Sequence, residues 1–382
     1  MMATVIEKER ATALTNFHAD PNEPAWLNDL RCEAFLEFSE RGYPTVRQED
    51  WKYTNVAPVI AGMTVAFDRN GHGALKAPTS DERGLLEQFN FQRNGFTAEN
   101  LARGDLVSIV IDGESNEPIE LSSHVADDSA VFPHRLITVR SGATAVLVET
   151  YSSGASNFTN AAIQIVVEDN ARLTHYRVQK ESPDAFHYGV TEVSLGRDAS
   201  YNSTNINLGG KLSRHDIEMK FTAEGGEAWV DGLYMLNGTQ HADTHSIIDH
   251  QVPNCTSHQN YKGVLNDKSR AVFNGKVFVR GNAHGTDAQQ QNKNLLLSNE
   301  ARVDTKPQLE IFNDDVKCSH GATVGQLEEE ELFYLLTRGL PETLARNLLT
   351  YGFAEEIINK IGVERIKAEL DNAVLHRLST VL

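Results

Sequence analysis

The feature that most constrains this fold is a short phrase, a turn followed by alanine and then by a strand pattern, which recurs along the middle of the chain. Its seven copies are Ser141-Gly142-Ala143, Asp169-Asn170-Ala171, Arg197-Asp198-Ala199, Gly226-Glu227-Ala228, Gln240-His241-Ala242, Ser269-Arg270-Ala271 and Asn299-Glu300-Ala301. Successive alanines lie 28, 28, 29, 14, 29 and 30 residues apart, so one interval is half of the others. A fixed period of this length indicates a stacked repeat architecture.

The segments between the turns have β character. Val107–Ile111 and Ile163–Val167 are runs of mostly β-branched residues, which are typical of strands. With strands as the repeating unit, the period predicts a parallel β-helix in which each coil contributes strands to two or more sheets. The small alanine is then needed where the chain turns tightly and coils stack closely. The alternative is that turn and alanine recur by chance in another kind of β protein.

A β-helix leaves unpaired strand edges at both of its ends. Each end therefore requires a cap or a partner. The flanking segments supply candidates for caps. Pro24 to Gly42 has apolar residues every fourth position, which predicts an amphipathic helix with Trp26, Leu30, Ala34 and Phe38 on one face. The aromatic segment Glu49–Thr54 is predicted to anchor a loop to a core.

After Gly325 the pattern changes to helix. The apolar positions are Leu332, Leu335 and Leu336, then Leu344, Leu348 and Tyr351, and finally Ile366, Leu370, Val374 and Leu378. We therefore predict a mainly β protein with three parts: a small N-terminal mixed α/β domain over residues 1–100, a parallel β-helix core over 101–322, and a C-terminal helical domain over 323–382.

Composition excludes several classes of function. Asp and Glu outnumber Lys and Arg by 53 to 35, and the net charge of -18 argues against nucleic-acid or anionic-membrane binding. Residues 1–10 do not resemble a signal peptide, and no run of 18 apolar residues predicts a membrane span. Three widely spaced cysteines, Cys32, Cys255 and Cys318, indicate reduced thiols and a cytoplasmic location.

The segment Lys317–Gly325 joins the β region to the helices and holds the best candidate for chemistry. On a strand, Cys318 and His320 point to the same face, and thiolate and imidazole are natural ligands for iron or zinc. His320 is thus the candidate metal ligand. Seven of the 14 histidines fall within about one hundred residues, namely His215, His241, His245, His250, His258, His284 and His320, but without a compact ligand motif.

Motifs for other chemistries are missing. The sequence contains no GxxxxGK[ST] loop, so the chain should not hydrolyse ATP alone, and it contains no GxGxxG fingerprint or GxSxG elbow. We therefore predict no catalytic residues.

Several phrases resemble the SufB/SufD family of iron–sulfur cluster assembly subunits, and within it the SufD branch. They are Asp315–Gly325, Glu331–Leu335, Arg338–Leu340, Gly42–Pro44, Glu49–Thr54 and Gln240–His245. The resemblance implies a right-handed parallel β-helix that pairs with the β-helix of a sister subunit, SufB. The resemblance also allows the isolated chain to form a homodimer.

The resemblance also implies roles for particular residues. His320 matches the SufD branch's functional histidine, which faces a cysteine of SufB, and Cys318 matches a neighbouring cysteine of the family. The segment Gln289–Leu297 lacks the cysteine that carries the nascent cluster in SufB. This chain alone is therefore expected to hold no cofactor. The resemblance implies that a cluster forms transiently with SufB and allows a reduced flavin in the full complex.

The C-terminal helical domain is expected to dock on the ATPase subunit, SufC. The apolar residues assigned to that contact are Leu332, Phe333, Leu335, Leu336, Leu344 and Leu348. The implied function is that of a non-catalytic scaffold subunit of the SufBCD complex, which contributes to iron acquisition and to cluster formation at the SufB–SufD interface. The alternatives are a β-helix carbohydrate-active enzyme, such as a polysaccharide lyase or esterase, and a stand-alone His/Cys metalloenzyme.

Overall fold

A computed structural model describes residues 19–62, 66–67, 83–115, 117–126 and 129–380. The expectation for residues 1–10 lies outside these ranges. The helices are α1 (Ala25–Arg41), α2 (Ala57–Gly62), α3 (Arg83–Leu86), α4 (Gly95–Arg103), α5 (Glu329–Thr337), α6 (Glu342–Ile358) and α7 (Glu364–Thr380), with a 3-10 turn at Glu49–Trp51. No described helix is long and apolar enough to span a membrane.

The described residues contain eighteen strands, which form the body of the molecule. They are β1 (Ala66–Phe67), β2 (Asp105–Ile111), β3 (Ile119–Val125), β4 (Ser129–Val131), β5 (Pro133–Val139), β6 (Thr144–Ser153), β7 (Phe158–Val167), β8 (Arg172–Lys180), β9 (Phe186–Leu195), β10 (Ser200–Asn207), β11 (Leu212–Phe221), β12 (Glu227–Leu236), β13 (His241–His250), β14 (Thr256–Leu265), β15 (Arg270–Val279), β16 (Thr286–Leu296), β17 (Arg302–Ile311) and β18 (Val316–Gly325).

The strands alternate between two parallel sheets. Sheet A has ten strands and runs through β7, β9, β11, β13 and β15 to β17, whereas sheet B has eight and runs from β3 through β6 to β18. Each coil therefore contains one long strand from each sheet, and the predicted mainly β, parallel β-helix fold is confirmed. The last strand ends at Gly325 and the first C-terminal helix begins at Glu329.

The structure explains both the recurring alanine and the half interval. The residue before the alanine is left-handed at Gly142 (φ 72°), Asn170 (φ 60°) and Asp198 (φ 51°), a conformation that Gly, Asn and Asp tolerate best. All seven alanines are buried where a turn meets a strand. The first four precede or begin strands of sheet B and the last three precede or begin strands of sheet A. The 14-residue interval is therefore the step from one sheet to the other within a coil.

The N-terminal helices cover the outer face of sheet A. Trp51 is buried, lies 3.8 Å below the Arg214 guanidinium and stacks on Tyr188, so the predicted loop anchor is confirmed for Trp51. Tyr53, in contrast, is 41% exposed. Helix α1 forms as predicted, but its buried side chains are those of Leu27, Arg31 and Ala34.

The buried face of α1 differs from the predicted one by about one position because of a buried arginine. The Arg31 guanidinium donates to the carbonyl oxygens of Leu101 and Gly104, both at 2.8 Å, and pairs with Glu23 at 2.8 Å. It thereby satisfies carbonyl groups at the C-terminal end of α4, where helices leave acceptors unpaired. An apolar pattern cannot show this contact.

The C-terminal helices cover part of the outer face of sheet B. The second half of α6 and the helix α7 bury Ile357, Ile358, Ile366, Leu370 and Val374 against Val148, Val178, Ile206, Leu233 and Val264. The predicted face of the last helix is confirmed for Ile366, Leu370 and Val374, while the side chain of Leu378 is outside the described part of the structure. Removing these helices would expose an apolar sheet face.

Candidate functional site at the open end of the solenoid

The last coil of the solenoid carries Cys318 and His320. Strand β18 is the terminal strand of sheet B and β17 that of sheet A, so one edge of each has no strand beside it among the described residues. Three large apolar side chains in this coil are exposed: Ile311 (42%), Phe312 (62%) and Val324 (49%). Exposed apolar side chains beside open strand edges are typical of a surface that pairs with another protein.

The strand register places Cys318 and His320 on the inward-facing side of β18. Cys318 lies opposite the buried Ala288 and packs on the main apolar core, and His320 lies opposite Gln290. Cys318 is half-buried whereas His320 is exposed. Two residues along a strand span about 7 Å, so the thiol and the imidazole line the same mouth of the solenoid.

Beneath His320 a row of polar side chains leads into the solenoid. Gln290 donates to Gln259 at 2.7 Å, and Gln259 donates to the Ser246 hydroxyl at 2.9 Å. The Gln290 carbonyl oxygen is buried and has no hydrogen-bond partner among the described residues. A buried acceptor without a partner is costly, so the row ends at the mouth with a group that a donor would stabilise.

The Cys318 thiol is hard to deprotonate. Burial raises the pKa of the Cys318 thiol, and the nearby charge of Asp287 raises it further, although the backbone N–H of Ala288 lowers it. In the free chain the thiol therefore keeps its proton at neutral pH. Because the thiolate is the metal-binding form, Cys318 is a weaker first ligand than the exposed imidazole of His320.

No group of three or more His, Cys, Asp or Glu side chains with metal-binding geometry exists among the described residues. Several of the clustered histidines have other partners. His215 contacts the Thr191 hydroxyl at 2.9 Å, His250 contacts the Ser257 hydroxyl at 2.8 Å, and His245 contacts Asp243 at 3.0 Å. Their clustering in the sequence therefore reflects structural positions in the solenoid.

Sequence reasoning missed an ionic cluster inside the solenoid, formed by Glu149, His175, Arg177, Glu181 and His187. Each of them is at most 4% exposed. Arg177 lies 3.8 Å from Glu149 and contacts His187 Nε2, while His187 Nδ1 lies 2.8 Å from Glu181. A guanidinium can only donate, so His187 Nε2 accepts and His187 is neutral, donating from Nδ1 to Glu181.

Other members of the ionic cluster keep its two buried carboxylates ionised. Burial alone would raise the pKa of Glu149, but the hydrogen bond and charge of His175, with the charge of Arg177, lower it to about 2. Burial would likewise raise the pKa of Glu181, but its contacts with His187, Thr159 and Gln179 lower it to about 2. The signal for this cluster in the sequence was the 28-residue period, because residues one period apart, such as Glu149 and Arg177, lie side by side on neighbouring strands.

The residues assigned to the ATPase contact lie on α5 and on the first half of α6. Phe333 (67%), Leu336 (37%), Leu344 (53%) and Leu348 (49%) are exposed, while Leu332 and Leu335 are half-buried. Tyr334 adds a further exposed ring at 56%. Helix α5 buries no residue at all. We call these exposed and half-buried apolar side chains of α5 and α6 the helical patch.

The fold and the mouth together define the chain as a parallel β-solenoid with one open end and a partly uncovered helical appendage. Residues 122–353 match the family described as SUF system FeS cluster assembly, SufBD core domain, and residues 18–65 match the SufBD protein N-terminal region. The chain therefore belongs to the SufBD family, as its sequence phrases suggested.

Within this family the chain is a homologue of SufD. It is 30% identical over 380 residues to the iron-sulfur cluster assembly protein SufD of Escherichia coli, covering 88% of this chain and 90% of that protein. It is 33% identical to a SufBD family protein of Mycobacterium leprae, over 92% of this chain and 95% of the relative. A Synechocystis SufBD family protein is 39% identical over 64% of this chain, but the match spans only 56% of that longer protein.

Proposed function

We propose that this protein is a non-catalytic scaffold subunit of a cytoplasmic SufBCD complex that assembles iron–sulfur clusters. The observation that carries the proposal is the open last coil, whose mouth presents His320 and Cys318 between unpaired strand edges. In this proposal the coil pairs with SufB, and a nascent cluster forms at the joint. Iron and the cluster are cargo, formed transiently with SufB and not held by this chain alone.

The chemistry of the mouth supports an order of events. The exposed imidazole of His320 is the accessible ligand for incoming iron, and it needs no proton loss when neutral. The Cys318 thiol must first lose a proton that burial makes harder to remove. Cys318 therefore acts after a partner or a metal has changed its surroundings. Pairing also covers the mouth and protects a labile cluster from water and oxidants.

The helical patch supports the contact with the SufC ATPase. Its exposed apolar side chains lie on α5 and on the first half of α6, and the second half of α6 packs on sheet B. A patch of this kind is typical of a protein interface, in which a few aromatic and aliphatic side chains provide most of the affinity. Because ATP hydrolysis resides in the partner, this chain contributes a docking site. A reduced flavin, if the complex binds one, is expected to require the assembled complex.

The iron-site proposal is tested with His320→Ala in the reconstituted SufBCD complex. We expect cluster formation, followed by visible absorbance and by iron content per complex, to fall at least about tenfold while the complex still co-purifies. Ser319→Ala is the matched control, since Ser319 is exposed on the opposite face of β18. Unchanged cluster formation by His320→Ala would remove the histidine from the mechanism.

The ATPase contact is tested with Phe333→Glu and Leu344→Glu. We expect each to weaken SufC binding at least about tenfold, because hot-spot apolar residues are replaced by a charge. Val46→Glu is the control, since Val46 is 46% exposed on the N-terminal part of the chain. Point variants are preferable to truncation after Gly325, which would also uncover the apolar outer face of sheet B. Normal SufC binding by both variants would exclude this patch.

A further inference from the structure

A pocket on the outer face of sheet B lies beside the C-terminal helices and is used by none of the contacts proposed above. Its volume is about 460 Å³, and it is lined by Thr174, Asn202, Thr204, Trp229, Asp231 and Lys360. This volume falls within the range of small-molecule sites, which often form where two parts of a protein meet. Here the sheet provides the floor, and Lys360, between α6 and α7, provides one rim.

One wall of the pocket is an aromatic ring with a free face. Trp229 and His258 are neighbours across β12 and β14, and their rings stack with centroids 4.1 Å apart and planes 10° apart. Trp229 is nevertheless 40% exposed. On its other side the neighbouring strands carry the short side chains of Asn202 and Thr174 in register. The stack of rings therefore ends at Trp229. The space beside its ring, above Asn202 and Thr174, is called the slot.

The slot matches a planar ring in spacing. Strands are about 4.8 Å apart, close to the separation of the two stacked rings, so a third ring at the same spacing would lie above Asn202. Stacking of this kind is favourable because aromatic faces prefer offset parallel contact. A tryptophan indole that is held flat by His258 loses little freedom when a ligand stacks on it.

The floor of the slot is polar and fixed. Asp231 is 4% exposed and bonds Lys360 Nζ at 2.8 Å, and Thr204 is also 4% exposed. The Tyr176 hydroxyl accepts from the backbone N–H of Gly362 at 2.8 Å and so holds the loop that carries Lys360. An apolar ring face beside rigid polar groups is the usual composition of a site that orients a ligand by its hydrogen-bonding edge.

We propose that this slot binds a planar heteroaromatic ring, which stacks on the free face of Trp229 and directs its polar edge to Asn202, Thr174 and Thr204. The pocket admits a two-ring heterocycle, and such rings are carried by purine nucleotides. A small ligand is favoured over a protein partner because the tryptophan offers its face within a concave polar surface.

The test is isothermal titration calorimetry of the full chain with adenosine monophosphate. We expect saturable binding with a dissociation constant below about 1 mM. Trp229→Ala should weaken that binding at least about tenfold, since loss of a stacking platform has effects of this size.

A matched pair of leucine variants tests whether binding depends on the slot or on the other outward-facing side chains of sheet B that lie in register with Trp229. Asn202→Leu fills the slot beside Trp229 and should abolish binding, whereas Gln289→Leu, at the opposite end of the row beyond His258, should leave it unchanged. Both positions are exposed, so neither variant should affect folding. Absence of adenosine monophosphate binding, or equal effects of the two leucine variants, would overturn the proposal. So would a Trp229→Ala chain that binds adenosine monophosphate normally but no longer assembles with its partners.

Discussion

Toward the N-terminal end of the solenoid, Arg177 and Glu149 are buried and paired within the chain. At the C-terminal end His320 is exposed, and the buried side-chain carbonyl oxygen of Gln290 has no hydrogen-bond partner among the described residues. Both regions place polar side chains on the inner faces of the same sheet, so the fold alone does not separate them. What differs is whether further coils follow. Polar groups inside the stack must be satisfied by the chain itself, and those at its mouth are left for another molecule.

Removing the central cation of the ionic cluster should have the largest effect. Arg177→Met leaves Glu149 buried without the guanidinium that lowers its pKa and removes the donor to His187, and we expect the free energy of unfolding to fall by about 3–5 kcal/mol. Arg172→Met on the same strand is the control, since Arg172 is exposed and should change stability by less than about 0.5 kcal/mol. Chemical denaturation measures both. Similar stabilities of the two variants would contradict the assigned pairing.

Acid should weaken the same region. The pKa of Glu149 and that of Glu181 are about 2 in the folded chain, below the ordinary value of about 4.3, so folding favours their ionised forms. The stabilisation is complete above about pH 4.3 and is lost as the pH falls toward 2, on the order of 3 kcal/mol for each carboxylate. Unfolding free energies measured across this window should show a smaller slope in Glu181→Gln. An unchanged slope would show that another group controls acid stability.

The open end should control self-association of the isolated chain. Without SufB, we expect two last coils to pair through their strand edges, giving a homodimer in analytical ultracentrifugation. Phe312→Lys with Val324→Lys should raise the dimer dissociation constant at least about tenfold, because lysines on an edge oppose strand pairing. Val110→Lys provides the comparison at the other end, where Val110 is 48% exposed on β2. An equal effect of the substitutions at both ends would show that self-association does not depend on the C-terminal end of the solenoid.

The smallest effect is expected at the mouth itself. His320→Ala removes an exposed side chain for which the structure gives no hydrogen bond, so the free energy of unfolding should change by less than about 0.5 kcal/mol. Thermal and chemical denaturation of the free chain test this. A large loss of stability would mean that His320 has a structural role, and its effect on cluster formation would need another explanation.

Much of the architecture could be predicted because a solenoid repeats its constraints. Each coil requires a tight turn and a small buried residue, so the turn-plus-alanine phrase recurs once per coil and reveals the repeat in the sequence. The mouth could be predicted because Cys318 and His320 come just before the pattern changes to helix. Phe333 and Leu344 are exposed on α5 and on the first half of α6, and their role in docking stays a prediction.

The ionic cluster could not be predicted, for a physical reason. On β6, the inward positions include Glu149 and Tyr151, while the outward positions include Val146 and Val148, which are covered by the C-terminal helices. Alternation of apolar and polar residues then indicates the wrong face as the interior. The interior row was visible only after the register between coils was known, and the slot beside Trp229 likewise depends on which strands are neighbours.

Helix α6 begins at Glu342 among exposed side chains and ends at Ile358, which is fully buried. Its 17 residues form a rod of about 26 Å, anchored at one end by Lys262 of β14, whose ammonium donates to the Phe353 carbonyl at 3.0 Å. Such a rod acts as a lever. A sideways displacement of its free end becomes a torque on β12 and β14, the strands against which it lies, and these precede the last coils of the solenoid by only one or two turns.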